Sequence, residues 1–238
     1  MSAVHKPSAF FKRFHVASFL KSSNIRKTKD GRQGYQEPGA AGANGKFADF
    51  AICDVDGDGK DELLISQSYG MTADMRSYIY DYDSGSDRFT LEADASVFGL
   101  LNFYRTGYMA CGENHAQGIG LGTIIWPYEL YQYEKDTDSY RLICGFDAWD
   151  KNDYNEEYYG PFPDEKDHDG NGILYVRYQV ESEEEGTVDY SDPEYLDDAE
   201  YQESISDKTD PADEITLAPY VLNQENLDRL DEIIKNRK

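Results

Sequence analysis

Residues 54–62 read Asp-Val-Asp-Gly-Asp-Gly-Lys-Asp-Glu. Carboxylates at alternate positions of a tightly turned loop can converge on one point. Asp54, Asp56 and Asp58 occupy positions 1, 3 and 5 of such a loop, and Gly59 at position 6 permits the sharp bend. The Lys60 carbonyl falls at position 7 and Glu62 closes the ring at 9. That is an oxygen-only ligand set of the kind Ca2+ takes, whereas Mg2+ keeps more of its waters and a rigid octahedron. Carboxylates this close repel one another, and a divalent cation removes the repulsion. The loop is not an ordinary EF-hand: position 12 is Ile65, not a bidentate Glu, and both flanks are β-prone.

A second loop repeats the plan with fewer charges. Asp167, Asp169 and Asn171 take positions 1, 3 and 5, Gly172 position 6 and the Ile173 carbonyl position 7. Position 9 is Tyr175, so a cation here is expected to bind more weakly. Other chemistry is sparse. Among the four histidines, His115 stands near Cys111 and Glu113, where a Cys/His or Glu/His pair could be assembled. No nucleophile elbow, P-loop, dinucleotide or zinc spacing occurs, and no residue is assigned a catalytic role. With 47 acidic residues, a carboxylate pair for glycoside hydrolysis carries no signal by itself. Trp126, Tyr128, Tyr131, Tyr133 and Trp149 could stack on sugars or partner side chains, but alternation favours a core place for half of them.

The elements that must position these groups are mostly strands. "KFADFAICDV" and "DELLISQS" flank the first Asp loop. "RSYIYDYD" sets Tyr78, Tyr80 and Tyr82 on one strand face, and "RFTLEAD" returns after a Ser-Gly-Ser-Asp turn. Residues 80–91 and 131–142 share the pattern Y-x-Y-[DE]-x-x-[ST]-D-x-[FY]-x-L without gaps, which raises the possibility of internal repetition. "ILYVRYQV" follows the second loop, and "VESEEEGTVDYSD" reads as a solvated acidic loop. Two helices are expected near the end. One starts with Asp192 as cap and Pro193 at its first position. The other is capped by Asn223 and puts Leu227, Leu230 and Ile234 on one face.

Composition bounds the class. The 238-residue chain carries a net charge of −24. Residues 1–45 hold eight Lys or Arg against two acids, so the acidic excess lies wholly beyond them. A polyanion repels nucleic acid and anionic membranes, and no run reaches membrane-spanning length. Twenty tyrosines and 11 phenylalanines supply the apolar area for a core. The three cysteines, Cys53, Cys111 and Cys144, lack metal-ligand spacing; Cys53 reads as core, and a Cys111–Cys144 disulfide is neither required nor excluded. The expected organisation is a basic, poorly ordered segment over 1–45, a β domain with calcium loops over 46–190, and a helical part packed on the sheet over 191–238. Residues 1–45 show no signal-peptide core or cleavage site; they read as a short basic helix with a linker, or as foreign sequence from a mis-assigned start.

Asp54, Asp56, Asp58, Gly59 and Glu62, followed by the apolar run Leu63–Ile65, resemble the calcium loop of FG-GAP (integrin α-subunit type) propeller repeats, D-x-[DN]-x-D-G-x-x-[DE]. More widely, the order from "FAICDVDGDGKDELLI" through "WPYELYQY" to the late "LNQEN" helix resembles a group of secreted proteins and lipoproteins of gut Firmicutes, over about residues 46–238. The expected fold class is mainly β (α+β): an antiparallel β-meander with propeller-like hairpins, an Asp-rich calcium loop and two C-terminal helices. The resemblance implies a calcium-binding, non-enzymatic extracellular or cell-surface module for adhesion or ligand binding, its partner a carbohydrate or a protein. The alternatives are a secreted hydrolase of surface polymers stabilised by calcium, and an intracellular acidic protein with a vacant loop.

Overall fold

The computed structural model describes residues 25–27, 33–35, 48–68, 75–83, 88–95, 100–112, 126–184 and 187–236. In chain order the strands are β1 (Ile25–Lys27), β2 (Gln33–Tyr35), β3 (Ala48–Cys53), β4 (Glu62–Ser68), β5 (Met75–Asp83), β6 (Arg88–Ala95), β7 (Leu101–Tyr104), β8 (Tyr108–Gly112), β9 (Tyr128–Glu134) and β10 (Ser139–Asp150). After α1 (Glu156–Tyr159) come β11 (Ile173–Glu184), β12 (Thr187–Tyr190), β13 (Glu194–Leu196) and α2 (Asp198–Ile205). The chain ends with β14 (Glu214–Ile215), β15 (Tyr220–Val221), α3 (Gln224–Asp228) and α4 (Leu230–Asn236). The protein is mainly β, and among the described residues every strand pairing is antiparallel and helices are few. No closed barrel or propeller is formed among the described residues.

The chain divides into two compact units. The first contains β1–β6, β15, α3 and α4, and includes a five-stranded sheet in the order β15-β3-β4-β5-β6. Period-two alternation puts Phe50, Ile52, Leu63 and Ile65 on one face, where they bury against Leu222, Leu227, Leu230 and Ile233. Asn223 caps α3 as expected, its side chain accepting from the Asn226 amide. The expected single helix is interrupted at Arg229, which leaves helical geometry with φ −94° and ψ 8°. The break resets the helical phase, so Ile233 takes the fully buried place and Ile234 packs at its margin.

The second unit holds β7–β14, α1 and α2, together with Val55–Gly57. Its sheet runs β12-β11-β10-β9-β8-β7-β14, with β13 also paired to β11. One face is an aromatic core of Trp126, Tyr128, Phe146 and Tyr175 packed on Tyr201 of α2. Tyr175 stacks on Tyr201 at 4.2 Å, and the Tyr128 and Tyr201 hydroxyls are hydrogen-bonded at 3.0 Å. Helix α2 starts later than Asp192 and Pro193 suggest. Residues 194–196 pair with Tyr175–Arg177 instead, because the ladder outweighs a proline start signal. Asp197 is the true cap, in a reciprocal capping box with Glu200. The expected acidic loop 180–192 is largely strand: β11 runs to Glu184 and pairs with β12, down to Glu184 opposite Thr187. Cys53, Cys111 and Cys144 form no disulfide. Cys111 pairs across from Glu129 and Cys144 from Leu130, so the two cysteines project from opposite sheet faces.

The repeated pattern is a repeated structure. Tyr80 faces Leu91 and Tyr82 faces Phe89 in β5–β6; Tyr131 faces Leu142 and Tyr133 faces Tyr140 in β9–β10. Both hairpins carry a register shift at the same place, which leaves Glu92 as the extra residue in one and Ile143 in the other. The preceding hairpins correspond as well. Phe50–Ile65, Ile52–Leu63 and Cys53–Glu62 in β3–β4 match Leu101–Cys111, Phe103–Met109 and Tyr104–Tyr108 in β7–β8. The connections differ: residues 54–61 join Cys53 to Glu62, whereas residues 105–107 suffice between Tyr104 and Tyr108. The Asp loop is thus a five-residue expansion of a turn that the same framework closes with three.

Candidate metal centre

The Asp loop leaves β3 after Cys53 and enters β4 at Glu62. Gly57 and Gly59 sit at φ +79° and +90°, where a side chain would strain the backbone. These two left-handed positions fold the intervening residues so that Asp54, Asp56 and Asp58 turn inward together. Each offers one carboxylate oxygen, and the three oxygens lie within 4.8 Å of one another. Oxygens bound to one calcium ion at 2.3–2.6 Å can be at most about 4.6–5.2 Å apart, so this spacing fits the ion. Asp56 is 7% exposed, and neighbouring Val55 is fully buried. The Tyr140 hydroxyl donates to the Val55 carbonyl at 3.2 Å, fixing the loop backbone beside Asp56.

Lys60 does more than the carbonyl role read from its position. Its amide donates to Asp58 Oδ1 at 2.7 Å, and its ammonium lies 2.9 Å from Asp58 Oδ2 and 3.5 Å from Asp81. Glu62 opens β4 and is completely buried. The register that sets Leu63 opposite Tyr80 carries Glu62 next to Asp81. Glu92, the bulge residue of β6, has a carboxylate oxygen within 4.8 Å of one from Glu62, and likewise of one from Asp81. Asp81 and Glu92 are 6% and 5% exposed. Burying carboxylates side by side is costly unless positive charge accompanies them. Asp81 and Glu92 were not singled out from the sequence. Asp81 is one more acid in an alternating strand, and Glu92 faces Glu62 only because of the bulge.

The second loop is stitched by its own acceptors. Asp167 accepts from the Gly170 and Gly172 amides, both at 2.9 Å. Asp169 accepts from the amide and the side chain of Asn171, each at 3.0 Å, and Asn171 accepts from the Ile173 amide at 2.6 Å. Ile173 then begins β11 opposite Asp150. Among the described residues no third carboxylate joins Asp167 and Asp169. His168 instead points its Nδ1 to 3.9 Å from the capping residue Asp197.

Glu113 and His115 lie outside the described residues. The aromatic cluster divides. Trp126 and Tyr128 are core, while Tyr131 and Tyr133 donate to Glu129 and Asp138, both at 2.6 Å. Trp149 lies on the opposite sheet face with Tyr154, Tyr159 and Tyr195 around it, and Tyr159 is 64% exposed. Among the described residues no helix is long and apolar enough to cross a membrane. A scan against protein-family models and searches of curated proteins and solved structures found no match.

Proposed function

We propose that the loop Asp54–Glu62 binds Ca2+, and that the chain is a non-enzymatic calcium-dependent binding module working outside the cell or at its surface. The observation that carries this reading is the comparison of the two equivalent hairpins. The framework needs only three residues to turn from strand to strand. The expanded copy spends its extra length on aspartates whose oxygens converge at ligand spacing. A loop that merely reversed the chain would not need Asp56 in a desolvated position. Asp54, Asp56 and Asp58 would hold the ion through carboxylate oxygens. Glu62, the Lys60 carbonyl and water would complete the shell in the manner of FG-GAP repeats, which this loop resembles. The ion's contribution is structural: it pins a strand–loop–strand junction that its own charge would otherwise splay. Asp167, Asp169, Asn171 and the Ile173 carbonyl form the weaker second candidate. The free module would engage a carbohydrate or a protein at the surface where it works.

The direct test is calcium binding to the full chain by titration calorimetry in chelator-stripped buffer, with magnesium run in parallel. Extracellular modules bind calcium at roughly 10⁻⁴–10⁻³ M. A single saturable site in that range, not filled by magnesium and lost in Asp54→Ala/Asp58→Ala, is expected. No heat of binding up to about ten times that concentration overturns the reading.

A further inference from the structure

The second unit carries a feature that the calcium reading leaves unused. Across β9, β10 and β11, Glu129, Gly145 and Tyr178 lie directly side by side. They line an open groove of about 310 Å3 on the sheet face away from α2. Gly145 forms the floor, with the Tyr190 ring 3.7 Å from where a Cβ would stand. Tyr190 reaches across from β12 and donates to Glu129 Oε1 at 2.8 Å, while Tyr131 donates to Glu129 Oε2 at 2.6 Å. Two residues along β10, Asp147 also lines the groove. It accepts from its neighbour's amide at 2.8 Å and from the Trp149 indole at 3.0 Å. Tyr178 and Tyr190 meet edge to face at 6.4 Å. Burial, and then the Asp147 charge, push the Tyr178 hydroxyl up to about 12, so at neutral pH the ring is uncharged.

Two carboxylates are therefore held in fixed orientation by neutral donors, between aromatic rings. Among the described residues neither carboxylate is in an ion pair with Lys, Arg or His. An inorganic divalent ion wants an oxygen-only shell, and rings are poor neighbours for it. An organic cation satisfies both parts: its charge meets the carboxylates and its methylenes and ammonium lie against the ring faces. The groove is at the small end of the range for ligand sites, about 300–1,000 Å3, and suits one side chain better than a run of sugar rings. The chain's net charge of −24 draws basic partners to it. We propose that the groove over Gly145, between Glu129, Asp147, Tyr178 and Tyr190, is a docking site for the ammonium group of a lysine side chain on a basic partner protein.

This inference does not depend on the calcium loop. The test is an amide NMR titration of the full chain with Nα-acetyl-lysine methylamide, with the norleucine analogue and methyl glucoside as uncharged probes. Saturable shifts centred on Gly145, Asp147 and Tyr178 are expected with the lysine probe alone, weakening as salt is added. Glu129→Gln and Asp147→Asn, which keep shape and remove charge, should each weaken binding by about tenfold. Gly145→Val should abolish it by filling the groove. Asp54→Asn/Asp58→Asn should leave it unchanged. Equal binding of the norleucine probe or the glucoside overturns the proposal, as does retained affinity in both isosteric variants with native amide spectra. Absence of saturable shifts with the lysine probe overturns it as well.

Discussion

Replacing Asp54 and Asp58 by asparagine should stabilise the protein without calcium and lose that advantage as calcium rises. Three pairwise repulsions act among Asp54, Asp56 and Asp58, whose oxygens lie within 4.8 Å. At that distance each pair costs about 0.9 kcal/mol when screened as in water and about 3.5 at an effective dielectric of 20. Asp56 is buried and the Asp58 side chain is only 13% exposed, so the water-screened figure is a floor and the three pairs together cost at least roughly 2–3 kcal/mol. The double variant removes all three. It also forfeits the Lys60–Asp58 ion pair, which at its exposure is worth at most about 1 kcal/mol. In excess chelator the variant should therefore be more stable than the wild type by at least about 1–2 kcal/mol, or at least roughly 2–8 °C in Tm. At 10 mM calcium the wild type should gain about 1.4–2.7 kcal/mol by mass action while the variant gains almost nothing. The two melting curves should thus approach or cross as calcium rises, while magnesium leaves their order unchanged. A variant less stable than the wild type in chelator would refute the electrostatic argument. Equal calcium gains in both proteins would refute the ligand assignment.

Four further outcomes follow from the same geometry. Gly59→Ala places a Cβ at φ +90° with open space around it, so the cost is backbone strain alone, about 1–2 kcal/mol by urea denaturation. Asp197→Ala removes the side-chain half of the capping box, the carboxylate that accepts from the Glu200 amide, while the residue-197 amide still donates to Glu200; it should cost about 1 kcal/mol, with faster hydrogen exchange at the Glu200 amide. Leu230→Ala, at the fully buried first residue of α4, should cost about 2–5 kcal/mol; a loss below 1 would mean that α4 does not pack as described. Alkali should destabilise the fold in two steps. Burial raises Cys144 from 9.0 to about 11 and, with Asp198 adding to it, Tyr175 from 10.0 to about 12. Both groups are held neutral in the folded state. Their stabilisation is complete below the unfolded values and is lost as pH rises through the folded ones. A urea midpoint that stays flat from pH 8 to 12 would contradict this.

Much of the fold was legible because it rests on local periodicity. Alternation in "FAICDV", "LLISQS" and "YIYDYD" specified strands whatever they paired with, and Asn223 announced its helix by local capping chemistry. The repeat was visible because paired aromatic positions must recur at matching register. Where a long-range ladder competed with a local signal, the ladder prevailed. Residues 194–196 joined β11 rather than starting a helix, and the acidic residues at 181–184 and 187–190 became strand because each segment had the other beside it.

The candidate centres divide in the same way. Asp54, Asp56 and Asp58 come together through two glycines inside one short loop, so spacing alone was enough to bring them into view. Glu92 and Asp81 belong to other strands, and their approach to Glu62 depends on cross-strand register and a bulge. No linear pattern encodes that approach. The groove over Gly145 was equally silent: an unremarked glycine became its floor only when Glu129 and Tyr178 were placed on either side of it. The sequence by itself determined the strands, the repeat and the convergence of the loop aspartates, because each depends on neighbours a few residues away. The tertiary structure alone decided which carboxylates share a buried neighbourhood and where a cavity opens, because those depend on pairing between distant strands.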